Sequence, residues 1–64
     1  MRSLLKVRLA EARRTALSLS RELGVSRNTV GNWCKDKGVG SMTLRRAEEV
    51  ARALGCRVSD LYGE

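Results

Sequence analysis

The sequence predicts an all-α domain of five helices. Apolar residues recur at helical spacing along the chain and do not alternate with polar ones as in a strand. None of the 64 residues is a proline, and threonine or serine precedes several periodic segments while glycine follows them, which are the signals of helix starts and ends. A chain of this length has room for one small domain, so we expect residues 1–64 to form a single unit.

The first two helices are predicted from their apolar faces. Leu5, Leu9 and Ala12 share one face of a first helix. Thr15 is a suitable N-cap for the second helix, and Gly24 ends it because glycine adopts the left-handed conformation at little steric cost. The predicted inward face of the second helix consists of Ala16, Leu19, Ser20 and Leu23.

A third helix is predicted after the cap residue Ser26, with only Val30 and Trp33 at the spacing that faces inward. We therefore expect Trp33 to be a core residue and not a side chain that stacks on bases. The remaining positions, which are predicted to face outward, are Arg27, Asn28, Thr29, Gly31 and Asn32.

The second half of the chain is predicted to contain a loop and two further helices. Residues 35–42 hold two glycines and mixed charges, which predicts a loop. Thr43 caps a fourth helix that Gly55 closes, and one short helical turn follows Ser59. The inward residues expected here are Leu44, Ala47, Val50, Ala51 and Leu54 of the fourth helix, followed by Cys56, Val58 and Leu61.

The charge balance indicates an anionic partner. Thirteen Lys and Arg residues against seven Asp and Glu give a net charge of +6, and the isoelectric point is near 10.4. Nucleic acid is the leading partner for so basic a small domain, and the alternative is a basic surface that only keeps the chain soluble.

Several classes of function lack the residues they would need. There is no histidine, and the two cysteines, Cys34 and Cys56, lack the spacing of a zinc site, so we expect a reduced pair, no metal and no cofactor. Neither a nucleophile with its base nor a phosphate-binding glycine loop is present, so we expect no enzyme and no small-molecule ligand. No apolar run has the length of a membrane span or signal peptide, so we expect no membrane association and a cytoplasmic protein.

The order of elements is that of a helix-turn-helix: a helix, a short turn that contains glycine, and a second helix with a polar outer face. Residues 15–37 resemble the helix-turn-helix of the Cro and phage-repressor (XRE-type) family, and residues 43–62 resemble its fourth and fifth helices. The resemblance implies a five-helix, lambda-repressor-like domain with the helix-turn-helix at helices 2 and 3. The residues that carry it in the helix-turn-helix are Ser20, Gly24, Val25, Val30 and Trp33.

Three features depart from the pattern of the family. Ala16 stands where many relatives have a glutamine that touches a phosphate and braces the recognition helix, so that contact and brace are expected to be absent. Cys34 stands where a glutamate is common, and the loop 35–42 is longer than usual.

The outward face of the third helix contains the side-chain types that read bases. Arginine presents a fork suited to guanine O6 and N7, and asparagine both donates to and accepts from adenine. The alternative is a merely solvated helix face. We predict base contacts from Arg27, Asn28, Thr29 and Asn32, and phosphate contacts from Arg13, Arg14, Thr15, Ser26, Lys35, Lys37 and Thr43.

These observations predict a sequence-specific double-stranded DNA-binding transcriptional regulator, a Cro-like repressor whose third helix enters the major groove. The alternative is a protein-interaction module, such as an antitoxin or antirepressor, which would need exposed apolar anchors on that helix. We also predict a homodimer, because Tyr62 with a partly exposed Leu61, and Leu4 with Val7, are surplus apolar surface that a partner could cover. The resemblance to relatives that dimerise through the last helix implies that the contact is at Leu61 and Tyr62. The alternative is dimerisation only on DNA.

Overall fold

The computed structural model describes residues 1–63, and within them the chain forms five α-helices, one 3₁₀ helix and a short two-stranded bridge. The helices are α1 (Leu5–Glu11), α2 (Ala16–Leu23), α3 (Arg27–Trp33), α4 (Asp36–Val39) and α5 (Leu44–Leu54), followed by the 3₁₀ helix Val58–Leu61. The strands are β1 (Arg2–Ser3) and β2 (Tyr62–Gly63), which pair antiparallel. The all-α, five-helix prediction is confirmed. None of the helices in the described range is long and apolar enough to cross a membrane.

The helix boundaries follow the predicted caps. The hydroxyls of Thr15, Ser26 and Thr43 each accept a hydrogen bond from the amide three residues further on, at 3.0 to 3.1 Å. Gly24 and Gly55 end α2 and α5 with φ values of 70° and 69°, the left-handed conformation that favours glycine. These five residues therefore fix where the two long helices and α3 begin or end.

The core lies between the helices and excludes polar side chains almost completely. Trp33 is 5% exposed, so its predicted core role is confirmed. Ser20 is the buried polar residue, and its hydroxyl donates to the Leu17 carbonyl at 2.7 Å. The buried apolar residues are Leu5, Leu9, Leu19, Val30, Trp33, Val39, Met42, Ala47, Val50, Ala51 and Leu61.

The prediction of a loop over residues 35–42 is wrong in part, because α4 lies inside it. Val39 is fully buried, which gives this single helical turn an apolar anchor. At Gly38 an added Cβ would lie 1.9 Å from the Asn32 carbonyl oxygen, so glycine is what lets α4 pack so closely on the end of α3.

Because α4 is an additional helix, the helix that was predicted as the fourth is α5. The predicted last turn is the 3₁₀ helix, and it begins at Val58 instead of after Ser59.

Leu44 was expected to face inward, and this is wrong: the residue is 70% exposed. It is the first residue of α5, directly after the Thr43 cap. Side chains on a helix lean towards its N-terminus, so Leu44 projects beyond the first turn and away from the core. Ala47, Val50 and Ala51, which lie within the helix, are buried as predicted.

The bridge between β1 and β2 was not predicted. It joins the N-terminal segment to Tyr62–Gly63, and Ser3 of β1 also bonds to the end of α3. Ser3 lies opposite Tyr62 in the bridge. The Ser3 hydroxyl donates to the Trp33 carbonyl at 2.7 Å, and the Ser3 amide donates to Asp36 Oδ1 at 2.8 Å. The last turn of α3 and the first of α4 are thereby held by a segment about 30 residues earlier in the sequence.

Candidate nucleic-acid interface

The two faces of α3 differ sharply in burial. Val30 and Trp33 are buried in the core, whereas Arg27, Asn28 and Asn32 are exposed. Within residues 1–63 these three exposed side chains take part in no hydrogen bond or ion pair. Their donors and acceptors are therefore available to a ligand, as the sequence predicted for a recognition helix.

An open depression runs along this face of α3, and we call it the α3 groove. It has a volume of about 460 Å³. Ala16, at the start of α2, contributes one side of the groove with a single methyl group. The side chains and backbone that line it are those of Ala16, Arg27, Asn28, Gly31, Asn32 and Lys35. Three of the four predicted base-contacting residues thus lie around one depression.

Thr29, the fourth predicted base-contacting residue, lies outside the groove. It is half-buried, and its hydroxyl is 2.8 Å from the hydroxyl of Ser26. The amide of Thr29 also donates to the Ser26 hydroxyl. Thr29 therefore supports the start of α3, and its hydroxyl could contact a base only as a second partner beside Ser26.

Arg14, predicted to contact phosphate, has its guanidinium bonded within the domain. Its Nε donates to the Ser18 hydroxyl at 3.0 Å, and its terminal nitrogens donate to the Ala53 carbonyl and to Glu22. These bonds join α2 to the end of α5. A phosphate contact from Arg14 remains a prediction that would compete with them, whereas Arg13 is exposed and adopts a φ of 56° at the turn before α2.

The other residues predicted to contact phosphate are exposed, and they are either lysines or hydroxyl residues that cap a helix. Lys35 and Lys37 are exposed, one at the end of the α3 groove and one on α4. The hydroxyls of Thr15, Ser26 and Thr43 already accept cap hydrogen bonds, so they can approach a phosphate only as second partners. Their phosphate roles stay predictions.

Most of the positive charge is not neutralised by neighbouring carboxylates. The ion pairs in the described range join Arg8 to Glu11, Arg14 to Glu22 and Arg46 to Glu49, and the hydrogen bond to Glu11 raises the pKa of Arg8. The exposed basic residues of α2 and α5 were not among the predicted phosphate contacts. Exposed Lys and Arg residues with no ion pair among residues 1–63 are Arg2, Lys6, Arg13, Arg21, Arg27, Lys35, Lys37, Arg45, Arg52 and Arg57.

The cysteines do not form a second site. Cys34 and Cys56 are free thiols and both are partly buried. Burial raises the pKa of the Cys34 thiol, and burial with the nearby charge of Asp60 raises the pKa of Cys56. A raised thiol pKa lowers the thiolate fraction at neutral pH, so both behave as small apolar residues.

The expectation that Leu61 is partly exposed is wrong, since it is fully buried. The 3₁₀ helix that contains it is covered by the N-terminal segment, whose Leu4 amide donates to the Leu61 carbonyl at 3.0 Å. Leu61 therefore has no surface to offer a partner. Tyr62 is half-buried and Val7 is 48% exposed.

Comparison with known families agrees with this geometry. The family model for the Cro/C1-type HTH DNA-binding domain matches residues 4–63. No curated protein and no solved structure matches the chain. The protein belongs to the Cro/C1-type helix-turn-helix family, which is a family of DNA-binding domains and not of enzymes. The family supports a DNA-binding regulator, and the resemblance found in the sequence is confirmed.

Proposed function

We propose that this protein binds double-stranded DNA sequence-specifically by placing α3 in the major groove. The observation that carries the proposal is the exposed set Arg27, Asn28 and Asn32, which lie around one groove and have no partners within residues 1–63. Polar side chains of these types, on the exposed face of a recognition helix, match the hydrogen-bonding edges of bases.

The unpaired basic residues supply the nonspecific part of binding. Ten exposed Lys and Arg side chains in the described range lack an ion pair, so they remain free to neutralise phosphates and release counterions. Phosphate contacts position the domain, and base contacts from α3 give the specificity.

The regulatory effect that we propose is repression. A domain that occupies base pairs in the major groove excludes other proteins from the same site, and this requires no further chemistry from the chain. A protein-interaction role for the same face is less well supported, because α3 exposes none of the large apolar side chains that anchor protein interfaces. The exposed large apolar residues of the described chain are elsewhere, at Met1, Val7, Leu17 and Leu44.

We further propose that two copies bind a palindromic site as a homodimer. The domain measures 28 × 20 × 20 Å, whereas one turn of the double helix is about 34 Å long, so one copy reads less than a turn. With Leu61 buried, the C-terminal contact rests on Tyr62.

The test of specific binding is selection of duplexes from a random pool, followed by gel-shift titration at several salt concentrations. We expect enrichment of one sequence motif, and an affinity that falls linearly on a logarithmic plot as salt rises. Equal binding to selected and scrambled duplexes, or an affinity indifferent to salt, would contradict the proposed function.

A further inference from the structure

The glycines of the chain differ in what the fold requires of them. Gly24 and Gly55 adopt positive φ, and Gly38 lies where a Cβ would meet the Asn32 carbonyl oxygen. Neither ground requires a glycine at position 31, because its φ is not in the left-handed region and a Cβ built on it meets nothing within 4 Å. The fold therefore has room for a side chain at position 31.

A glycine at this position reduces the stability of the recognition helix. Glycine in a helix interior is less favourable than alanine by about 1 kcal/mol, and α3 is only seven residues long. No contact among residues 1–63 requires a glycine at this position, whereas a ligand that approaches the backbone closely would require one.

Gly31 lies in the α3 groove, where a side chain would project into the depression. It lines the groove with the Ala16 methyl group and with the side chains of Arg27, Asn28 and Asn32. Gly31 and Ala16 carry no charge and no side-chain hydrogen-bonding group, whereas the other three do. The groove is therefore apolar at Gly31 and Ala16, with hydrogen-bonding groups beside it.

We propose, on the basis of the proposed function, that the surface formed by Gly31 and Ala16 receives the 5-methyl group of a thymine. In the major groove of B-DNA, that methyl is the apolar group that base edges present, and it lies beside the hydrogen-bonding atoms of the same and neighbouring pairs. Gly31 is then a specificity-determining residue through the absence of a side chain. A phosphate is a poorer match for this surface, because the cationic groups are at Arg27 and Lys35 and not at Gly31 or Ala16.

The proposal is tested with the duplex that the wild-type protein selects from a random pool, in which each thymine is replaced in turn by deoxyuridine, which lacks the methyl. For wild type we expect one position where this replacement weakens binding about fourfold, the factor corresponding to about 0.8 kcal/mol for one buried methyl-sized group. Gly31→Ala should weaken binding to the thymine duplex about tenfold, and it should no longer distinguish thymine from deoxyuridine there.

Gly40→Ala is the matched control, since a Cβ at Gly40 also meets nothing within 4 Å and its φ is −70°, but it lies outside the α3 groove. It should keep both the affinity and the discrimination. Thermal unfolding should show Gly31→Ala at least as stable as wild type.

The proposal alone would be overturned if the wild-type protein bound equally well after every replacement of thymine by deoxyuridine, or if the Gly31→Ala variant kept full discrimination. Failure to select any duplex would overturn the proposed function and this proposal with it.

Discussion

Side chains that read bases and side chains that contact phosphates should respond differently to removal. Arg27 and Asn28 are exposed on α3 and line the groove, so their loss should affect mainly the selected sequence. We expect Arg27→Ala and Asn28→Ala each to weaken specific binding by about 1 to 3 kcal/mol, with little change in binding to random DNA. Gel-shift titration of both variants against selected and scrambled duplexes measures the difference.

Lys37→Ala is the comparison variant. Lys37 is exposed on α4, outside the groove, and a phosphate contact there should be lost equally from specific and nonspecific complexes. Full discrimination by the Arg27→Ala and Asn28→Ala variants would show that α3 is not the element that reads the sequence.

Gly38 is expected to be essential for stability, in contrast to Gly31. A Cβ at Gly38 would lie 1.9 Å from the Asn32 carbonyl oxygen and 2.7 Å from its carbon, and backbone atoms cannot yield as a flexible side chain does. We expect Gly38→Ala to lower the free energy of unfolding by about 1 to 3 kcal/mol, the usual cost of forced overpacking. Urea unfolding measures it, with Gly40→Ala as a control that should stay close to wild type. Wild-type stability of the Gly38→Ala variant would mean that α4 does not pack on α3 this closely.

At the scale of the element, α3 is held at both ends by serine residues. Ser26 caps its first turn, and the Ser3 hydroxyl donates to the carbonyl of Trp33 at its end. Since neither bond uses the exposed side chains of the helix, the element is positioned without occupying the groups proposed to contact bases. Preorganisation of this kind lowers the ordering cost of binding.

Substitutions at Ser26 separate its capping role from its predicted phosphate contact. Ser26→Ala should lower the free energy of unfolding by about 1 kcal/mol because the cap hydrogen bond is lost. Ser26→Asp should retain the cap and the stability, since aspartate is also a good N-cap, but weaken DNA binding by repelling phosphate. Chemical unfolding and gel shifts on both variants distinguish the roles. Undiminished DNA binding by Ser26→Asp would contradict the phosphate contact.

The sequence predicts the elements whose signals are local. Thr15 and Thr43 as caps and Gly24 and Gly55 as ends all have the predicted geometry, because a cap requires only a few neighbouring residues. The outward position of Arg27 follows from the spacing of Val30 and Trp33 in the same way. For the candidate site, the residue types were predictable, whereas the groove between α2 and α3 depends on how two helices pack.

Features that depend on distant contacts were not predictable. The single turn of α4 is too short to show a helical period, and its close packing depends on Asn32 of another helix. The bridge between β1 and β2 joins the two ends of the described chain, and two-residue strands show no alternation. Leu61 was predicted to face inward, but its complete burial beneath the N-terminal segment was missed. The bonding of Arg14 to Glu22 and Ala53 was missed as well.

At the scale of the whole molecule, size and charge together favour two copies on one site. The longest dimension is 28 Å, less than the spacing of about 34 Å between half-sites one helical turn apart, so a single recognition helix reaches only one half-site. Unpaired positive charge on each copy opposes association in free solution, and the phosphates of a shared duplex reduce that repulsion. DNA should therefore strengthen any pairing between the copies.

We expect sedimentation and gel shifts to show two wild-type copies binding a palindromic site cooperatively, with Tyr62 at the contact. Tyr62 is a half-buried residue of β2, within the bridge. In a dimer that pairs through this residue, a carboxylate there should place two like charges together across the two-fold axis and abolish cooperativity. Tyr62→Asp should still bind a single half-site as tightly as wild type, and Tyr62→Phe, which keeps the ring, should remain cooperative. Thermal unfolding of the Asp variant confirms that it is folded. Wild-type copies that bind the palindrome one at a time, with equal affinity for each half-site, would refute the homodimer; cooperative binding by a folded Tyr62→Asp variant would place the contact elsewhere.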